Sequence, residues 1–325
     1  MPFFVLAGKL YEAFGKEAAR LDHIVTHEED GKRLRDILRQ VMHVSYSAMK
    51  SAKWDNRILV DGCPRTVDQP VRAGETVTFL LADAVPVYKP TAYDIPLTIP
   101  YEDEHFLIID KPAPLPSQSS ARQSDFTLEN AVFAYFGCPD HFIYRPVNRL
   151  DKGTSGLMVV AKNAHVQQLL QEMLHTDRFI RSYCAVVEGA PAPAEGVIDA
   201  PIAKEDAASI RRIVTPEGKP SVTHYNTVST KNGRSLVTLT LETGRTHQIR
   251  VHMAHIGCPV CGDFLYGTEL PELPGRFALH STLINMLHPI TGERLIVQSP
   301  APDAFMTLLN NAAEGDMHGT NDRRC

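Results

Sequence analysis

Apolar and polar positions change their spacing along the chain, and the changes mark out elements. After Gly31, the residues Leu34, Ile37, Leu38 and Val41 recur at helical spacing and predict a helix over 33–41 with one apolar face. Ser45 stands where an N-cap would start a second helix, from Tyr46 to about Lys53. Ile58-Leu59-Val60 reads as a strand, Asp61-Gly62 as a tight hairpin turn, and Thr76-Val77-Thr78-Phe79-Leu80 as another strand. Two helices and a small sheet predict a small domain over 23–83. Residues 1–22, interrupted by Gly8 and Gly15, read as an N-terminal extension. Pro86, Pro90, Pro96 and Pro100 make 84–100 an extended linker.

A second domain is expected over 101–311. Phe106-Leu107-Ile108-Ile109-Asp110 has the apolar run of a buried strand. Gly156-Leu157-Met158-Val159-Val160-Ala161 reads the same way, directly after a polar turn, and 179–187 is a further strand with Tyr183 inside it. In 236–241, Val237, Leu239 and Leu241 face one way and Thr238 and Thr240 the other. Thr243-Gly244 ends that strand, and 245–255 reads as a helix. Many strands with intermittent helices predict an α+β fold. The aperiodic residues 312–325 read as a flexible tail.

Composition narrows the class. The chain has 325 residues, 43% of them hydrophobic, 22% charged, and a net charge of -5. These values fit a soluble globular protein of the cytoplasm, and an RNA contact would have to come from a local basic patch. No apolar run reaches the ~18–20 residues of a membrane span, and the short apolar start lacks a signal-peptide pattern. The six cysteines are scattered, which suits a reduced compartment. Cys258 and Cys261 have the spacing of half a zinc site, with His252 and His255 upstream. A single such pair does not make a zinc site, so no metal is expected.

Positive charge is concentrated in the small domain. Residues 31–61 carry seven cations (Lys32, Arg33, Arg35, Arg39, Lys50, Lys53 and Arg57) against three acids. Phosphate binding requires such a patch, and Lys32, Arg33, Arg39, Lys50, Lys53 and Arg57 are its RNA-binding candidates.

The chemistry points to one loop. In Asn148-Arg149-Leu150-Asp151-Lys152-Gly153-Thr154-Ser155-Gly156, one carboxylate stands between two cations, with two glycines for tight turns. A carboxylate so flanked can serve as nucleophile or base. Lys152-Gly153-Thr154 lacks the spaced glycines of a phosphate loop.

Longer blocks carry a resemblance. Arg149-Leu150-Asp151-x-x-Thr154-Ser155-Gly156-Leu157 resembles the signature of the RluA family of RNA pseudouridine synthases. Ile109-Asp110-Lys111-Pro112, the block from Arg181 to Gly189, and Thr243-Gly244-Arg245-Thr246-His247-Gln248-Ile249-Arg250-Val251-His252 are similar to the family's other blocks, in order. Ala278-Leu279-His280 and His288-Pro289 match its C-terminal region. Asn148, Ala113 and Arg181 depart from the residues usual at their positions. Residues 31–80 resemble the alpha-L RNA-binding motif.

The resemblance implies a mixed, mainly antiparallel sheet with a central cleft, and an isomerase acting on ribosomal or transfer RNA; the sequence does not give the oligomeric state, and a monomer is the default expectation. It implies Asp151 as the attacking aspartate, Tyr183 stacked on the uracil, and Arg250 paired with Asp151. Arg149 would help to extrude the base and Leu279 would lie beneath it. Thr154, Arg245, His247 and Gln248 would be substrate contacts. The reaction frees uracil at nitrogen 1, turns it, and rejoins it through carbon 5, which needs no redox partner or energy source. A uridine in folded RNA must first be flipped out, at a few kcal/mol.

Overall fold

The computed structural model describes residues 20–54, 56–81, 89–119 and 126–311. The tail 312–325, residues 1–19 of the extension and 84–88 of the linker lie outside the described residues. The chain divides into two compact units: residues up to Pro86 with Asn163–His165, and the remainder.

The first unit is a four-stranded antiparallel sheet in the order β1-β4-β2-β3, formed by β1 (Arg20–Ile24), β2 (Ile58–Val60), β3 (Cys63–Pro64) and β4 (Thr76–Leu80). The predicted first helix begins as a turn at Leu34–Asp36 and widens into a π-helical turn at Ile37–Val41. A second helix, Tyr46–Trp54, follows. Leu34, Ile37, Leu38, Val77 and Phe79 are fully buried and form the core with Val44 and Val71. Asp61 (φ 48°) and Gly62 (φ 76°) make the two-residue turn joining β2 to β3, both in the left-handed region such a turn needs. One boundary is corrected. The extension was expected to run to residue 22, but Arg20–Ile24 pairs with β4 along its whole length. Its charged and exposed residues hid a strand that is stabilised by pairing and not by burial.

The second unit holds a nine-stranded sheet, built from β5 (Thr98–Glu102), β6 (Phe106–Lys111), β7 (Ser155–Ala161), β8 (Phe179–Glu188), β9 (Glu195–Asp199), β12 (Val222–Lys231), β13 (Arg234–Leu241), β14 (Leu279–Leu287) and β15 (Arg294–Gln298). Its order is β5-β6-β7-β14-β8-β13-β12-β9, with β15 also on β14. Between β9 and β12, the short pair β10 (Ile202–Lys204) and β11 (Arg212–Val214) forms a separate hairpin. All pairings in the large sheet are antiparallel except β7 with β14. This is the mixed, mainly antiparallel sheet of an α+β fold. Every residue of β7 is buried, as its unbroken apolar run predicts. The helices Leu128–Tyr135, Ala164–Met173, Gln248–His255 and Asp303–Asn310 accompany the sheet.

Two features deserve a physical account. The expected linker ends early, because Thr98–Glu102 is a strand despite Pro100. It lies at the sheet's edge, where a residue without an N–H is tolerated, and its pairing shifts register between Thr98 and Tyr101. Gly156 (φ 105°) sits at the parallel crossing, where a Cβ would come within 2.3 Å of the Ser281 carbonyl oxygen. Only glycine permits that approach. Among the described residues no helix is long and apolar enough to cross a membrane.

Candidate active site

The loop entering β7 is held from two sides. Ser117 Oγ accepts the Leu150 N–H at 3.1 Å and donates to the Leu150 carbonyl, while Leu115 N–H reaches the Lys152 carbonyl at 3.0 Å. On the far side, Phe277 N–H donates to the Gly153 carbonyl at 3.2 Å. A Cβ on Gly153 would lie 2.7 Å from the Phe277 ring, so glycine lets the loop rest against that ring. Asp151 lies at the centre of this clamp, and Thr154 N–H closes the turn onto its carbonyl at 3.1 Å.

The Asp151 side chain meets Arg250. Arg250 Nη1 donates to Asp151 Oδ2 at 2.9 Å. The rest of the same guanidinium is fixed behind: Nε donates to Asp263 Oδ2 at 2.6 Å and Nη2 to Asp263 Oδ1 at 2.8 Å. Asp263 is fully buried and also accepts the Leu265 and Tyr266 N–H groups. Arg250 stacks on Phe277, its Cζ 4.1 Å from the ring centre, which adds a cation–π contact to the fork. A bidentate pair behind and a single bond in front hold the Asp151 carboxylate in one orientation.

His247 is the N-cap of the helix Gln248–His255, in the left-handed conformation at φ 58°. Its Nε2 stands 3.9 Å from Asp151 Oδ2, and its Nδ1 bonds the Tyr266 hydroxyl at 2.8 Å. Burial lowers its pKa, against the pull of Asp151. Behind the loop lies Lys111, fully buried, donating to the carbonyls of Pro112 and Leu115 at 3.0 and 2.7 Å. Burial pushes its pKa down to about 7, opposed by the nearby Asp151 charge.

These groups open on a cleft of about 1060 Å³, large enough for a nucleotide and its neighbours. It is lined by Asp151, Tyr183, Arg250, Arg149, Thr154, Arg245, His247, Gln248 and Leu279, so nine residues expected from separate blocks converge. Tyr183 and Leu279 are 4% exposed and form apolar wall, while Arg149 is exposed. Among the described residues seven lysines and arginines line the cleft, and Asp151 is the one aspartate or glutamate that does. In a chain of net charge -5, that segregation creates a local positive field suited to a polyanion.

Two expected contacts are corrected. Gln248 is buried and its amide is fully occupied. Oε1 accepts from Thr243 Oγ1 and the Arg245 N–H, and Nε2 donates to the Val222 carbonyl and Thr223 Oγ1. It pins the loop to β12 and has nothing left for a substrate. In the small unit, Lys32, Arg33, Arg39, Lys50 and Lys53 are exposed. Arg57 is instead 4% exposed and donates to the Leu80 carbonyl at 3.0 Å and to Ser51 Oγ at 2.9 Å. It ties a helix to β4 and is not available to phosphate.

Other parts of the site went unnamed in the sequence. Asp263, Tyr266 and Phe277 frame Arg250, and the signal that could have found Asp263 is the pair Gly262-Asp263 a short way after the block that carries Arg250. His252 bonds Thr223 Oγ1 and the Ala200 carbonyl through its two ring nitrogens, a structural role. Among the described residues no three His, Cys, Asp or Glu side chains converge on a metal position. Cys258 and Cys261 are buried free thiols, their pKa values raised by burial.

Known proteins share this framework. A family model described as RNA pseudouridylate synthase matches residues 105–255. The ribosomal large subunit pseudouridine synthase D of Escherichia coli (strain K12) is 37% identical over 314 residues, 90% of this chain and 94% of its own. An uncharacterized RNA pseudouridine synthase of Bacillus subtilis, YjbO, is 39% identical over 67% of this chain and 77% of its own. Among solved structures, human RNA pseudouridylate synthase domain containing 1 superposes with a TM-score of 0.53 at 26% identity, covering 64% of this chain and 84% of that one.

Proposed function

Because the chain belongs to the RNA pseudouridine synthase family, and so is an isomerase that acts on RNA, we propose that Asp151 is its nucleophile and large-subunit ribosomal RNA its substrate. The observation that carries the reading is the relay Asp263–Arg250–Asp151, which aims one carboxylate into a cleft whose other lysine, arginine, aspartate and glutamate lining residues, among the described residues, are all cations. The substrate follows from the relative that matches 90% of this chain and is named for the large ribosomal subunit.

The reaction conserves every atom of the nucleotide. The bond from ribose to nitrogen 1 breaks, the bond to carbon 5 forms, nitrogen 1 gains a proton and carbon 5 loses one. Asp151 supplies the attacking oxygen, and Arg250 steadies the carboxylate before and after the attack. The freed uracil must stay in place to be rejoined, and Tyr183 over Leu279 provides a flat apolar seat for it. Arg149, exposed at the mouth, takes the position that the extruded base leaves. Arg245 and Thr154 contact the flanking nucleotide. The small unit, with Lys32, Arg33, Arg39, Lys50 and Lys53 at its surface, adds affinity through phosphates.

The test is mapping of pseudouridine in a large-subunit ribosomal RNA transcript after incubation with the full-length protein. Wild type is expected to modify discrete uridines. Asp151→Asn is expected to form none while binding the transcript with an affinity within threefold of wild type. Full activity in Asp151→Asn would sink the nucleophile; modification of transfer RNA alone would sink the substrate.

A further inference from the structure

Arg181 lies on β8 two residues before Tyr183. Alternate residues of a strand share a face and stand roughly 7 Å apart, and both of these side chains line the cleft. Arg181 is 5% exposed, and its Nε and Nη2 are buried with no hydrogen-bond partner among the described residues. A buried cation with unmet donors is costly, and native proteins pair such groups almost always. No acid of the cleft serves it, since Asp151, the only one, is taken by Arg250.

The surroundings point to an anion that arrives with the substrate. A methyl on Gly244 would lie 3.7 and 3.8 Å from Nη1 and Nη2 of Arg181, so the guanidinium rests beside bare backbone. His175 approaches the same place, its Cε1 3.4 Å from that methyl position. Arg245 follows in the chain, exposed, with its Nε tied to the Pro220 carbonyl at 3.2 Å. Arg276 also has buried Nε and Nη2 atoms without partners, but it does not line the cleft.

We propose that Arg181 binds a phosphodiester of the RNA beside the flipped uridine, with Arg245 flanking it, so that one strand holds the base through Tyr183 and its backbone through Arg181. The planar fork of a guanidinium matches two phosphate oxygens, and the strand spacing matches the reach from a base across its ribose to the attached phosphate. The role is substrate positioning: the phosphate anchor holds the nucleotide out of its stack while Asp151 acts. The proposal rests on the reading of the cleft given above.

The test uses a short oligoribonucleotide centred on a uridine modified by the wild-type protein in the large-subunit transcript. A single uncharged methylphosphonate is placed at each linkage in turn. In wild type, one linkage next to the target uridine is expected to raise KM on the order of tenfold. Arg181→Met is expected to raise KM on unmodified RNA by a similar factor, with kcat within threefold. In Arg181→Met that one linkage should then have no further effect, while every other linkage behaves as in wild type. Arg181→Lys keeps a cation and covers the case in which the methionine variant fails to fold. It should lose part of the wild-type sensitivity at that linkage alone. Undiminished sensitivity at that linkage in either folded variant overturns the clamp and leaves the Asp151 reading standing. A wild-type protein that forms no pseudouridine in the transcript overturns both.

Discussion

Two arginines of the same cleft are buried almost equally, Arg250 at 3% and Arg181 at 5% exposed, yet their surroundings are opposite. Arg250 has an acid on each side and an aromatic ring beneath. Arg181 has an imidazole and bare backbone nearby and two donor atoms without partners among the described residues. The difference separates two uses of a buried charge. A cation whose partners belong to the fold positions a reacting group. A cleft-lining cation without a partner among the described residues is, on our proposal, kept for a ligand that brings its own charge.

The largest way to break this comparison is to remove Arg250's internal partner. Asp263→Asn keeps the shape of the side chain but deprives a buried guanidinium of the carboxylate it forks onto. Leaving one member of a buried ion pair uncompensated costs about 3–5 kcal/mol. With its rear anchor weakened, Arg250 also stops aiming Asp151, and single-turnover rates should fall by about 100-fold or more. Urea unfolding and single-turnover kinetics check both halves. Stability and rate within twofold of wild type would mean that Arg250 needs no second carboxylate.

Lys111 sharpens the same contrast, because it is fully buried with only carbonyl oxygens as partners. Burial pushes its folded pKa down to about 7, below the value near 10.4 of an exposed lysine. Between those two values the unfolded chain binds the proton and the folded chain does not. Stability contributed by this group therefore rises with pH from about 7 upward, by about 2 kcal/mol between pH 7 and pH 9 as the slope climbs toward its limit of about 1.4 kcal/mol per pH unit. Below pH 7 both states are protonated and the slope vanishes. Denaturant melts across this range should show the rise in wild type and not in Lys111→Met. A rise that persists in the variant would assign it to another group.

What the sequence made legible was whatever is contiguous. The Asp151 loop, the strand with Tyr183 and the block with Arg250 are each readable as uninterrupted runs, and all three meet at the cleft. The alternation of Val237 and Leu239 against Thr238 appears as burial in β13. Pairings that depend on a turn were not legible. Asp263 reaches Arg250 only because the chain after the helix Gln248–His255 folds back, and nothing in a thirteen-residue separation announces that. Arg57 and Gln248 look like surface ligands in a sequence, since burial of a polar side chain is decided by partners such as the Leu80 and Val222 carbonyls, which are remote in the chain. Arg20–Ile24 and Thr98–Glu102 were missed because edge strands carry little apolar signal.

The smallest expected effect lies in the first unit, where Lys32, Arg33, Arg39, Lys50 and Lys53 are the reverse case, exposed and individually weak. Lys50 and Lys53 lie in the helix Tyr46–Trp54, three residues apart and both exposed, so they occupy neighbouring places on its surface. Solvent screens each charge, and each one replaced should cost only a few-fold in affinity for the large-subunit transcript. The signature is in the salt dependence. For the double variant Lys50→Ala/Lys53→Ala, the slope of log affinity against log salt should flatten by about 1.4 to 1.8, since each phosphate contact contributes about 0.7 to 0.9. The pseudouridylation rate at saturating RNA should stay within twofold of wild type, because neither side chain belongs to the cleft. An unchanged slope would remove these lysines from the RNA contact. A large fall in the saturated rate would mean that exposed cations do here what the comparison of Arg250 with Arg181 reserves for buried ones.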